Sequence, residues 1–303
     1  MFIGSHISLG GNLKKAYDNA KKEGGNCMQV FLKSPTMKSP AIKVKPIIFT
    51  EDPAFKTMVH SSYLLNFSKP PEEHPWAFEN IRDDLHFAAQ SNIEGCVIHM
   101  GKHLKMTPQT AISQYASSVM KILDDWNEMG KAVGEATAET TKAVGSVEPY
   151  DISDVKTRLV LENSAAQGTE IGHKWDDIVK IWDEIDESYH DKIGFCFDTC
   201  HAFASGYDLR DSVVQDDVLK YIDEHIGIDR LSVIHLNDSK KECGCKADRH
   251  ENLGKGCIGE KPLCNFVKLL GDKYAFQNPI ILETPETGDR CSEINILKSI
   301  TYE

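Results

Sequence analysis

The feature that most constrains this chain is a recurrence. Short apolar runs rich in β-branched residues return eight times along its 303 residues: 1–8 (MFIGSHIS), 26–33 (NCMQVFLK), 57–62 (TMVHSS), 95–101 (GCVIHMG), 157–163 (TRLVLEN), 193–200 (IGFCFDTC), 231–238 (LSVIHLND) and 279–285 (PIILETP). Runs this short and this apolar suit strands covered on both faces, as in a parallel sheet. Between most of them lie stretches of helical period: Leu13 to Glu23, Trp76 to Asn92, Pro108 to Met129, Trp175 to Glu187, Ser212 to His225 and Pro262 to Leu270. Strands alternating with helices in this number predict an α/β fold, a (β/α)8 TIM barrel, with one domain spanning 1–303.

Two connections depart from the pattern. The segment 34–52 carries three prolines and no helical period, which predicts an extended second crossover. The segment 130–154 is rich in Ala, Thr, Gly and charge and is expected to be a solvated insertion.

Composition narrows the function. Hydrophobic residues make up 41% of the chain, enough for a sizeable core. The start MFIGSHIS has neither a basic region nor a long apolar one, and no run reaches the eighteen or so uncharged apolar residues of a membrane span. The expectation is an intracellular protein, cytoplasmic or nuclear, neither secreted nor membrane-bound. Nine cysteines, an odd number with four of them in the strand runs, argue for reduced thiols. A net charge of −12 counts against a generic nucleic-acid binder.

The polar residues of the runs are not scattered. His60, His99, Glu162, Asp198, His235 and Glu283 each stand at or just past the C-terminal end of an apolar run, and His201 follows Asp198 by three residues. That is the face on which barrels of this kind assemble active sites from several strands. Asp198 alone could simply cap a helix. Taken together, carboxylates and imidazoles converging on one mouth would repel or be badly desolvated without cations, and they are the usual ligands of Zn²⁺ and its neighbours. Beyond the seventh run, CKADRHENLGKGCIG (245–259) adds Asp248 and His250, two apart and able to face the same side of an extended loop. Its glycines 254, 256 and 259 could let backbone N–H groups approach a phosphate.

With these blocks assembled, the chain resembles the endonuclease IV family of apurinic/apyrimidinic (AP) endonucleases. The likeness runs nearly end to end, through GSHIS, HSSYLLN (60–66), HMGKHL (99–104), LENSAAQGTEIG (161–172), GFCFDTCHAFASGYDL, IHLNDSK (234–240), DRHENLGKGCIG and ILET (281–284). It implies three metal ions per chain, typically zinc, with Mn²⁺ or another divalent ion possible at one site. One would be held by His60, His99 and Glu162, a second by Glu162, Asp198, His235 and Glu283, and the third by His201, Asp248 and His250. It implies cleavage of the phosphodiester 5′ to an abasic site in double-stranded DNA, leaving a 3′-hydroxyl and a 5′-deoxyribose phosphate. Glu283 would orient or deprotonate the attacking water, with Glu162 bridging two ions. A monomer is expected.

Bound cations would offset the acidic net charge at the mouth. Lysines at 33, 38, 43, 45, 102, 105, 240, 241 and 255 fall in the expected loops of that face, with Lys33, Lys102 and Lys255 singled out for phosphates. Tyr63 and Leu64 are candidates to enter the DNA stack. Many family members place an arginine for that purpose after the second strand in K-N-x-R; here the run is Lys33-Ser34-Pro35-Thr36. Met100 replaces the usual proline, and Cys243 and Cys245 sit in an unusual insertion. The rival reading is a xylose-isomerase-like sugar isomerase or epimerase, which needs one or two metals and has no use for His201, Asp248 and His250.

Overall fold

In the computed structural model, residues 1–38, 41–140, 149–285 and 288–300 are described, without the side chains of 133–140. Each of the eight apolar runs contains a strand. These are β1 (Phe2–His6), β2 (Cys27–Val30), β3 (Lys56–His60), β4 (Gly95–His99), β5 (Arg158–Glu162), β6 (Ile193–Asp198) and β7 (Leu231–His235), followed, after a short antiparallel ribbon of β8 (Asp238–Ser239) and β9 (His250–Glu251), by β10 (Pro279–Leu282). Neighbouring barrel strands pair in parallel, and β1 pairs with both β2 and β10, which closes the barrel. The TIM-barrel expectation is met.

All six periodic stretches are helical. They form α1 (Leu13–Lys22), α2 (Pro75–Gln90), α3 (Pro108–Thr140), α4 (Trp175–Glu184), α6 (Ser212–His225) and α7 (Glu260–Tyr274). In α1 the apolar face Leu13, Ala16, Tyr17, Ala20 recurs at i, i+3, i+4, i+7 and is buried, and Asn12 caps the helix by accepting from Lys15 N. Two helices escaped the period test: α5 (Thr199–Ser205) and α8 (Arg290–Ile300). The first is buried almost all round and so shows no amphipathic stripe, starting on its cap Asp198 and ending at Gly206, where φ is 119°. Among the described residues, 31–55 form no helix, as the prolines foretold.

The stretch 130–154 is not a loop throughout. α3 continues to Thr140, because Ala, Lys and Glu sustain a helix even where apolar periodicity lapses. Residues 141–148 of the expected insertion lie outside the described residues. Beyond them Tyr150 packs back on the body: its hydroxyl accepts from Trp126 Nε1 at 2.9 Å and lies 2.7 Å from His86 Nδ1.

Two shells of core position the mouth. Outward-facing strand residues such as Val59, Ile98, Leu161, Phe197 and Ile234 pack with helix residues such as Ile81, Trp126, Ile178 and Phe266. Inside the barrel lies a layer of one residue per strand: Phe2, Cys27, Met58, Val97, Val160, Cys196, Val233 and Ile281. Strand side chains repeat their direction every second residue. Two positions further on, the same inward face therefore carries Gln29, His60, His99, Glu162, Asp198, His235 and Glu283. On β1 that position is Gly4, where a Cβ would fall 1.9 Å from the carbonyl oxygen of Cys27, so only glycine fits.

Candidate metal centre

Glu162, fully buried, is the hub of the mouth. Its Oε2 lies 3.2 Å from His60 Nε2 and 3.7 Å from His99 Nε2, and its Oε1 lies 2.8 Å from His235 Nδ1. His235 Nδ1 is also 3.2 Å from Glu283 Oε2 and 3.9 Å from Asp198 Oδ2. Off the strands, β9 brings His250 over the mouth and the loop before it brings Asp248. His201 Nε2 lies 3.3 Å from Asp248 Oδ2, and His250 Nε2 lies 3.0 Å from Asp248 Oδ1 and 3.6 Å from Asp198 Oδ2. All nine residues singled out from the sequence thus converge. Two of the triads, His60–His99–Glu162 and His201–Asp248–His250, each present three ligand atoms within 4.8 Å of one another.

Proton bookkeeping tests whether these groups suit cations. His60 Nδ1 is 2.8 Å from the carbonyl of Ser61, and His201 Nδ1 is 2.9 Å from that of Asn163. A carbonyl only accepts, so both rings carry a proton on Nδ1 and turn Nε2 toward a carboxylate. For His235 the arbiter is Gln29. The Glu283 carboxylate, 2.7 Å away, forces the Gln29 NH2 to face it, so Gln29 Oε1 faces His235 Nε2 at 2.9 Å and must accept from it. His235 then turns Nδ1 toward carboxylate oxygens of Glu162, Glu283 and Asp198. A ring nitrogen 2.8 to 3.3 Å from a carboxylate oxygen requires a positive charge in the gap, either a proton on that nitrogen or a bound cation in its place. An imidazole donating its other N–H to a fixed acceptor is the arrangement metal-binding histidines adopt. His99 Nε2, buried, has no hydrogen-bond partner among the described residues.

The electrostatics agree. Burial favours neutral imidazoles and prevails at His99, pushed down to about 4. At His235 burial is outweighed by Glu283 and Glu162, and at His250 by Asp198 and Asp248, so both rise to about 9. The carboxylates recruit positive charge wherever they can. Glu162, despite burial, is held well below the usual carboxylate range by His235 and His99.

Tyr63 stands between two clefts of the mouth. The larger, about 470 Å³, is lined by His6, Phe31, His250, Glu283 and Arg290, and the smaller, about 180 Å³, by His99, Lys102, His201, Asp248 and Arg249. Tyr63 is 50% and Leu64 39% exposed. Lys102 and Lys255 are exposed, Lys102 lying 3.6 Å from Glu170 Oε1. Two expectations are corrected. Lys33 cannot meet a phosphate: its side chain is buried, with Nζ 3.1 Å from Asp84 Oδ1 and donating to Asn80 O at 2.8 Å. The glycine-rich loop does cradle an anion, but that anion is Asp238. The N–H groups of Gly254, Gly256, Ile258 and Gly259 donate to its carboxylate at 2.9 to 3.3 Å.

Several residues of the centre had no role assigned from the sequence. Gln29 bonds Glu283, His235 and His6, and its one signal was a polar residue inside the apolar run CMQVF, in step with the ligand positions of the other strands. Asn237 donates to Asp198 Oδ2 at 2.7 Å and accepts from Glu283 N at 2.8 Å. Asp84 accepts from Ser61 Oγ at 3.0 Å, and burial pushes its carboxyl up to about 6 despite Lys33.

Residues 17–299 match the family model described as xylose isomerase-like TIM barrel. A protein named probable endonuclease 4 from Halothermothrix orenii is 33% identical, over 98% of this chain and 98% of its own length. Another of that name from Chloroflexus aggregans is 30% identical over 96% of this chain and 93% of its own length. The solved structure of endonuclease IV from Thermus thermophilus superposes with a TM-score of 0.72 at 23% identity, covering 100% of this chain and 99% of that one. A closed barrel of eight parallel strands, matched from end to end by these relatives, makes this chain a member of the endonuclease IV family of xylose-isomerase-like TIM barrels.

Proposed function

We propose that this chain is an AP endonuclease of DNA base excision repair, hydrolysing the phosphodiester 5′ to an abasic site to leave a 3′-hydroxyl and a 5′-deoxyribose phosphate. The observation that carries the reading is the outer triad His201–Asp248–His250, set against the Glu162-centred groups through Asp198 and His250. His60, His99 and Glu162 would hold one divalent ion, Glu162, Asp198, His235 and Glu283 a second, and the outer triad a third, with zinc foremost. Ions bound there supply positive charge to a phosphodiester and lower the pKa of water toward neutrality.

The chain's own residues do the rest. Glu283, at the boundary between the buried hub and the larger cleft, is held by Gln29 Nε2 at 2.7 Å and Asn237 Nδ2 at 3.4 Å, so its carboxylate has one orientation from which to align or deprotonate the attacking water. Glu162, buried beneath, fixes the spacing of His60, His99 and His235. Tyr63 and Leu64 present exposed apolar surface at the mouth that can fill the gap in a base stack. Lys102 and Lys255 face solvent where they can meet phosphates. The protein is read as an intracellular monomer.

The test is to incubate metal-loaded protein with a duplex carrying one abasic site and, separately, with ketose and aldose sugars. Incision beside the abasic site with no sugar turnover is the expected result. Sugar isomerisation without incision would transfer the chain to the isomerases and leave the outer triad without a role.

A further inference from the structure

The amide that orients His235 also commits a second imidazole. Gln29 Nε2 carries two protons. One goes to Glu283 Oε1 at 2.7 Å, and the other points to His6 Nδ1 at 3.1 Å. His6 Nδ1 must therefore be the acceptor, and the ring proton sits on Nε2. That N–H has no acceptor among the described residues, although the His6 side chain is only 15% exposed and what it exposes lines the larger cleft. The ring packs against Phe31, with centroids 4.3 Å apart and planes tilted by 46°. Its main chain is held as well, since Arg290 Nη1 donates to His6 O at 2.8 Å while Nη2 donates to Thr284 O at 2.7 Å.

The cleft around this donor is short of acceptors. Among the described residues lining it, the one carboxylate is Glu283, which already faces Gln29, Asn237 and His235 and lies 3.5 Å from the Nδ1 side of His6, away from its Nε2–H. The remaining polar groups are the hydroxyl of Ser8, the phenol of Tyr63, His250 and the Arg290 guanidinium, whose Nε is buried without a partner. No carboxylate of the described residues pairs with Arg290. A fixed N–H beside a guanidinium whose charge no carboxylate of the described residues balances calls for an acceptor-rich anion.

We propose that His6 contacts the substrate, its Nε2–H donating to a phosphodiester oxygen of the DNA strand lying in the larger cleft, with Gln29 as the positioning residue that fixes the tautomer. This rests on the reading of the chain as an AP endonuclease and adds a recognition residue outside the nine candidate ligands.

The experiment pairs His6→Phe, which keeps the ring against Phe31 and deletes the donor, with abasic duplexes carrying a neutral methylphosphonate at one position at a time. Metal content is measured on each preparation. In the wild type, neutralising the contacted phosphate should slow single-turnover incision roughly tenfold to a hundredfold, the scale of a hydrogen bond to a charged group. In His6→Phe with metals retained, incision should be slower by a similar factor, and that one position should no longer matter while the others behave as in the wild type. Nitrogen-15 NMR of the metal-loaded wild type should show the His6 proton on Nε2, a result that does not depend on the variant folding. An unchanged methylphosphonate profile in His6→Phe, or a proton on Nδ1, would overturn the contact and leave the endonuclease reading intact. A wild type that cuts no abasic duplex at all would overturn both.

Discussion

Gln29 Oε1 accepts from His235 Nε2 over 2.9 Å, a bond that reaches from β2 to β7 across the two intervening strands β1 and β10. The amide cannot turn over, because its nitrogen is held by Glu283. One uncharged side chain thereby fixes a proton on Nε2 of His235 and leaves Nδ1 to face the carboxylates. Gln29→Leu should leave the barrel folded and weaken metal binding about tenfold to a hundredfold, the usual cost of losing a partner behind a ligand. Competition against a chromophoric chelator measures this, and an unchanged affinity would deny Gln29 the orienting role.

Protein purified without chelator should contain close to three metal ions per chain, with zinc prominent. Stripping them should lower Tm, because the buried carboxylates and imidazoles of the hub lose the charge that balances them. Elemental analysis of active protein giving a reproducible single ion would refute the three-site arrangement.

Glu283→Gln should fold and yet cut incision by orders of magnitude, since an amide neither takes a proton nor supplies the ligand charge. Metal content and single-turnover rate belong on the same preparation. Near wild-type cleavage with metals retained would remove Glu283 from the chemistry.

His250→Ala deletes one arm of the outer triad and leaves the groups around Glu162 in place. Metal content should fall toward two per chain and incision slow by at least about a hundredfold, on the scale of losing one stabiliser of transition-state charge. Affinity for abasic DNA should fall less, because phosphate contacts spread along the strand carry most of it. Full activity with two ions would make the outer site dispensable.

Lys33 and Lys102 should separate cleanly. Lys33→Met leaves Asp84 buried and unpaired, which costs about 3–5 kcal/mol of stability when one partner of a buried ion pair is removed. Its DNA affinity should keep the wild-type salt dependence. Lys102→Met should be nearly neutral for stability and reduce the salt slope by about one contact. Denaturant melts and binding titrations at several salt concentrations read both effects. A lowered salt slope for Lys33→Met would place its ammonium on DNA after all.

The barrel was legible from residue order because strand and helix periodicities are local: a run buried on both faces shows itself as four to six apolar residues, and α1 shows its stripe at Leu13, Ala16, Tyr17 and Ala20. The nine convergent residues were legible for a related reason. A polar residue at the end of a buried strand has few explanations, and six such ends coincided. α5 was hidden because a helix buried almost all round has no stripe, and the tail of α3 because its helical propensity lacks one. What residue order could not decide was which charges meet. Lys33 and Asp84 lie on β2's exit and on α2, fifty-one residues apart, and only the packing of α2 against the barrel joins them and takes the lysine out of solvent. The glycines after β9 were expected to bring backbone N–H groups to a phosphate, yet tertiary structure gave them another anion, folding β8 beside β9 so that Asp238 takes those donors. The roles of Gln29 and His6 are of the same kind. A tautomer is set by donors and acceptors that face one another across the barrel mouth, and strand closure alone brings β1, β2, β7 and β10 within a hydrogen bond of each other.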